Sequence, residues 1–145
     1  MLRVVVDTNV VVSAQLSRHG APAQVLEAWR GRAFVLVSSP AIIAEVAETM
    51  SGFVGLQPYN VSQADVDELL TLLKTESLLV SGSAAPVEAQ LDDPDDLMFL
   101  ACALDGEAGI LVSGDRHLRS LGQHQGIEIL NPREFLDRLA DDAEG

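Results

Sequence analysis

The chain reads as an α/β protein: a three-layer α/β/α sandwich around a central parallel β-sheet. Three observations predict this class. Short apolar, β-branched runs recur from one end to the other, beginning with Val4 to Val6. Segments with helical length and spacing separate them, which implies βαβ units and parallel strands. The first run is so dense in valine that it suits a strand covered on both faces. At 145 residues the chain fits one domain that buries roughly two-thirds of its unfolded surface. That domain is expected over residues 1–140, with residues 141–145, "DDAEG", as a short, frayed acidic tail.

Val4 to Val6 opens the chain as a strand, and Asp7 interrupts the run "RVVVDTNVVVS". An uncompensated charge inside a buried strand would cost several kcal/mol, so Asp7 either ends the strand or has a partner. "APAQVLEAWR" follows as a helix, Phe34 to Val37 as a strand and "PAIIAEVAETM" as a helix. "SQADVDELLTLLKT" places Val66, Leu69, Leu70 and Leu73 at helical spacing behind an acidic first turn, and "SLLV" is a short strand. "SGSAAPVEAQ" is the most loop-like stretch. A helix is expected in "DPDDLMFLACALDG", with Asp93 as cap and Pro94 in its first turn. Then come a strand in "GILVS", a short helix in "DRHLRSL" and a strand in "IEIL". A last helix, "NPREFLDRL", has Asn131 as cap and Pro132 in its first turn.

Composition narrows the function classes. With 48% hydrophobic and 21% charged residues the chain is an ordinary globular one, and no window approaches the ~20 apolar residues that span a bilayer. A cytoplasmic protein with no membrane partner is expected. The single cysteine, Cys102, sits in the apolar run "LMFLACAL" and reads as a small buried side chain. A net charge of −13 argues against a general nucleic-acid binder, because affinity for phosphates comes from Lys and Arg. A polyanion would have to be held by a local patch or by metal ions.

Four acids fall at element ends or edges. In open parallel sheets ligands bind beyond the carboxyl ends of the strands, near the point where strand order reverses. Asp7 ends the first strand and Asp115, in "LVSGDRH", lies just past a later one, so both fall on one edge of the sheet. Asp96 begins a strongly apolar helix; acids favour that end of the macrodipole without any function, so its role is open on its own evidence. Glu45 lies at the border of the apolar face formed by Ile42, Ile43, Val46 and Met50, whereas Glu48 points almost opposite and reads as solvated. Thr8 and Asn9 read as turn or cap residues, and Asp115 is equally compatible with a helix cap.

Oxygen ligands of this kind suit a hard divalent cation, Mg²⁺ or Mn²⁺, which takes one or two carboxylates plus substrate phosphates. His19, His117 and His124 are scattered and form no zinc spacing. Metal-assisted hydrolysis of a phosphate ester fits the donor set. The nucleophile elbow, the P-loop and the dinucleotide-binding glycine pattern are all missing from the sequence.

Four stretches in order, "VVVDTNVVVSA", "SSPAIIAEVAE", "DDPDDLMFLACAL" and "ILVSGDRHL", resemble the PIN-domain family. The likeness is to the bacterial, VapC-like branch of toxins from toxin–antitoxin modules, and it extends from Leu2 to about Phe135. The resemblance implies a metal-dependent ribonuclease whose site is built from Asp7, Glu45, Asp96 and Asp115, all four candidates for holding Mg²⁺ or Mn²⁺. It further implies supporting hydrogen bonds from Asn9 and Ser113, a homodimer, an RNA substrate and a cognate antitoxin lying in a groove, for which Trp29, Met50, Phe53 and Tyr59 are candidates, with core packing the expected role of at least two of them. Arg116 and Arg119 flank Asp115 and are candidates to hold an RNA backbone, with Arg18, Arg30 and Arg32 as a second candidate patch; a solvated helix face is the equal alternative for both. Two other functions are compatible with these residues: a non-catalytic module that binds a metal ion or a basic peptide, and a small phosphatase.

Overall fold

The computed structural model describes residues 1–83, 96–115, 119 and 123–144. In chain order the elements are β1 (Arg3–Val6), α1 (Thr8–Leu16), α2 (Ala21–Arg30), β2 (Val35–Ser38), α3 (Pro40–Ser51), α4 (Gln63–Glu76), β3 (Leu78–Leu79), α5 (Asp96–Asp105), β4 (Ile110–Val112), β5 (Gln123–His124), β6 (Ile127–Leu130) and α6 (Pro132–Glu144). The sheet runs β3-β2-β1-β4-β6-β5. Its first five strands are parallel, with Val5 opposite Val37 on one side and Leu111 on the other. Helices flank this sheet, as the α/β reading expects. The edge strand β5, which no sequence pattern announces, pairs antiparallel to β6.

The central strands are apolar because both faces are covered: Val4, Val5, Leu111 and Val112 are completely buried. Helix α1 is the element that the sequence pattern hides. Its segment "TNVVVSAQL" carries three consecutive valines, weak helix formers, yet Val10, Val11 and Val12 are all buried in the core. Tertiary burial overrides local propensity here.

Two contacts fix the layers around the site. A Cβ on Gly106 would lie 2.3 Å from a methyl of Val37. Only glycine lets the end of α5 lie that close to β2. On the other face Phe135 of α6 is fully buried and packs edge-on against Phe34, ring centroids 5.0 Å apart. Helix α6 runs on to Glu144, taking in the acidic residues expected to fray. Asp93, Pro94, Asp95 and most of "DRHLRSL" lie outside the described residues.

Candidate active site

Strand order reverses between β1 and β4: successive strands run outward from β1 through β2 to β3, whereas β4 lies on the opposite side of β1. Asp7 follows β1 and Ser113 to Asp115 follow β4, so the topology places these residues side by side at the carboxyl edge. The Asp7 amide donates to the Val112 carbonyl at 3.0 Å and the Ser113 amide to the Leu130 carbonyl at 2.9 Å, which anchors both strand ends.

Asp7 both ends the strand and has partners. Its side chain caps α1, accepting from the Val10 amide at 2.9 Å, and it is 3% exposed. The Ser113 hydroxyl, wholly buried, donates to the same carboxylate and accepts from the Asp115 amide at 3.0 Å. Ser113 thus ties the two acids together through one oxygen. Burial pushes the Asp7 carboxyl above its ordinary 3.8; the hydrogen bonds from Ser113, Val10 and Asn9 oppose that shift, and the nearby Asp115 carboxylate adds to it.

The other expected residues are placed as follows. Glu45 is half-buried on α3, at the border of the face formed by Ile42, Ile43, Val46 and Met50, and Glu48 is exposed, as the helical spacing predicts. Asp96 is the first residue of α5, and its side chain lies outside the described set. Asn9 is exposed in the first turn of α1 and reaches Asp7 through its backbone amide. Thr8, read from sequence as a turn or cap residue, is 1% exposed with a hydroxyl that has no hydrogen-bond partner among the described residues. No sequence signal separates it from an ordinary first-turn threonine. Arg119 donates its amide to the Asp115 carbonyl at 3.0 Å, and its Nε is buried without a partner among the described residues. Arg116 lies outside the described residues.

A scan of family models matches the PIN domain over residues 3–117. The chain belongs to the PIN-domain family. PIN domains are typically nucleases and generally use divalent metals. An uncharacterized protein of Methanocaldococcus jannaschii is 28% identical over 95% of this chain and 92% of its own length. The fold is similar to VapBC2 from Rickettsia felis, solved bound to a DNA fragment from its promoter, with a TM-score of 0.56 at 14% identity over 90% of this chain and 98% of that one.

The residues present fit a hard divalent cation. Two carboxylates are held close enough to repel, one of them buried, and an orphaned hydroxyl adjoins them on Thr8. A bound cation would relieve the first cost, and its hydration shell is the kind of partner that the second lacks. Among the described residues no three His, Cys, Asp or Glu side chains gather as a ready-made metal cage. The groove expectation divides: Trp29 and Met50 are 5% and 1% exposed and belong to the core, whereas Tyr59 is open at 40%.

Proposed function

We propose that this PIN domain is a metal-dependent endoribonuclease of the VapC-like toxin type, hydrolysing RNA phosphodiester bonds. One observation carries the reading: at the topological switch point the buried Asp7 carboxylate and the backbone of Asp115 are held by one serine hydroxyl, with the Asp115 charge felt at Asp7. Nothing in the fold requires that pair to be charged, and oxygen chemistry with Mg²⁺ or Mn²⁺ does.

Asp7, Asp96 and Asp115 are the ligands in this reading, and Glu45 completes the set or orients the attacking water. When bound, such a cation neutralises phosphate charge and makes water a better nucleophile at neutral pH. Asp7 is fixed by the Val10 amide and the Ser113 hydroxyl, so its carboxylate has little freedom to turn away. Ser113 sets the distance between Asp7 and Asp115, and the Asn9 amide adds a further bond to Asp7. Arg119, whose amide donates to the Asp115 carbonyl, and Arg116 are assigned to the substrate phosphates from their places in the sequence beside Asp115.

The likeness to VapBC2 supports an antitoxin partner, and the resemblance of the four motifs to the family is the ground for proposing a homodimer. The test is cleavage of tRNA, rRNA and unstructured RNA by the purified protein in Mn²⁺ or Mg²⁺ against EDTA, beside the Asp96→Asn variant. Metal-dependent fragments that vanish in the variant are expected. Identical fragments from the variant would overturn the site, and metal binding without turnover would favour the binding-module reading instead.

A further inference from the structure

The molecule has a second concave surface, away from the acids. A cleft of about 1050 Å³ lies between the end of α1, the loop after it, α2, the tail of α3, the loop from Gly52 to Val61 and the start of α4. Ala14, Gln15 and Leu16 line it, whereas Asp7 caps the opposite end of the same helix. Nine residues at ~1.5 Å each put the two sites about 13 Å apart along α1.

Tyr59 stands on its rim. The chain has one Trp, one Tyr and four Phe. Trp29, Phe34, Phe99 and Phe135 are buried and Phe53 is half-buried, which leaves Tyr59 as the aromatic ring open to solvent. Phe53 braces it edge-on at 5.3 Å. The loop that carries it is closed by backbone bonds from Leu56 to Phe53, Tyr59 to Leu56 and Gly55 to Val61, each 3.1 Å. Gly55 has φ +75°, which suits glycine. The ring is therefore presented in advance, and little ordering cost remains for a ligand that stacks on it.

Arg18, His19 and Arg30 line the same cleft as the ring. Neither arginine has a carboxylate within 4.0 Å among the described residues. Asp65, whose charge is felt by Arg18, is committed to α4: its side chain accepts from the Ser62 amide at 3.0 Å in a capping box. Glu27, Asp65 and Glu68 outnumber the two arginines, so the cleft would not hold a polyanion by charge alone. An exposed ring, unpaired guanidinium groups and nearby carboxylate and amide groups are instead what a single unstacked base and its phosphate require.

We infer that this cleft is a base-reading subsite for single-stranded RNA, with Tyr59 as the stacking face and Arg18 and Arg30 as phosphate contacts. The inference rests on the ribonuclease reading and deepens it: a strand held here reaches the acids within about four stacked nucleotides at ~3.4 Å each. It supplies a way for a chain of net charge −13 to select RNA by a few local contacts.

The test is fluorescence anisotropy with a labelled, unstructured RNA long enough to span α1, in Mn²⁺ and in the Asp7→Asn background so that the RNA is not consumed. Tyr59→Ala should weaken binding about tenfold, as loss of one stacked base does, and Tyr59→Phe should restore it. Arg18→Ala with Arg30→Ala should weaken binding and flatten its salt dependence. Equal affinity for the Tyr59→Ala variant, or no binding in any variant, overturns the subsite and leaves the cleft to a peptide partner. Cleavage by the wild-type chain is scored separately. Intact cleavage with Tyr59-independent binding sinks the subsite alone, and Tyr59-dependent binding without cleavage sinks the nuclease alone.

Discussion

Asp7 and Ser39 do the same structural work on adjacent strands. Each follows a central strand, each is buried, and each caps the next helix by accepting from the amide three residues on, at 2.9 Å from Val10 and 3.4 Å from Ile42. The carbonyl of each also takes the first intrahelical bond. The environments then diverge. Ser39 is neutral and meets the buried Cys102 thiol, which burial pushes up to about 12; Asp7 is a buried acid facing another acid, with its pKa raised. A neutral cap is enough for the fold. The charge at Asp7 is an added cost, and the proposed cation site is what would offset it.

The comparison is broken most severely by making Asp7 like its neighbour. Asp7→Asn should lower RNA cleavage by at least about 100-fold while raising the thermal midpoint of the metal-free protein at neutral pH. The sign follows from linkage. A carboxyl whose pKa is raised on folding holds its proton more tightly in the folded state. The stability linked to it is fully present below the ordinary 3.8 and is lost as pH rises through the raised value. The advantage of Asp7→Asn in melting scans should therefore be small at pH below 3.8 and grow as pH rises.

The converse change, Ser39→Asp, buries a charge at the neutral cap, beside the Cys102 thiol. It should cost about 2–4 kcal/mol in denaturant unfolding, as an unpaired buried charge does, with cleavage per folded molecule retained. Thr8→Val removes the orphaned hydroxyl beside Asp7. It should stabilise the metal-free protein by about 1 kcal/mol and weaken Mn²⁺ binding in calorimetric titration, whereas Thr8→Ser leaves both near wild type. The smallest effect is far from the acids. Arg138 and Glu128 form a bidentate pair at 2.6 and 2.7 Å, with side chains 42% and 37% exposed. Screening by solvent limits the loss in Arg138→Ala to about 1 kcal/mol or less, read from urea melts.

Much of this was legible in the sequence, and what was hidden has physical causes. Strand ends are visible where a charge meets a valine run, so Asp7 and Asp115 could be placed on one edge from spacing alone. Glu45 and Glu48 could be told apart because helical geometry fixes which of them borders the apolar face. Helix α1 was not visible, since its valines favour a strand locally and only the core around them makes it a helix. Strand β5 has two residues, too few for any pattern. Thr8 and Asn9 could not be told apart, because burial at the first turn depends on how α1 lies against the sheet. Trp29 and Met50 are the two groove candidates that the core takes, in line with core packing as the expected role for at least two of the four.

The most direct test of the central claim, that the Asp7 charge serves a cation and not the fold, is the thermal midpoint of wild-type and Asp7→Asn protein with EDTA and with Mn²⁺. In EDTA the variant should melt higher, and Mn²⁺ should raise the wild type but leave the variant nearly unmoved. A variant that melts lower in EDTA and still gains the wild-type Mn²⁺ shift would contradict the account, and would make Asp7 a structural cap like Ser39.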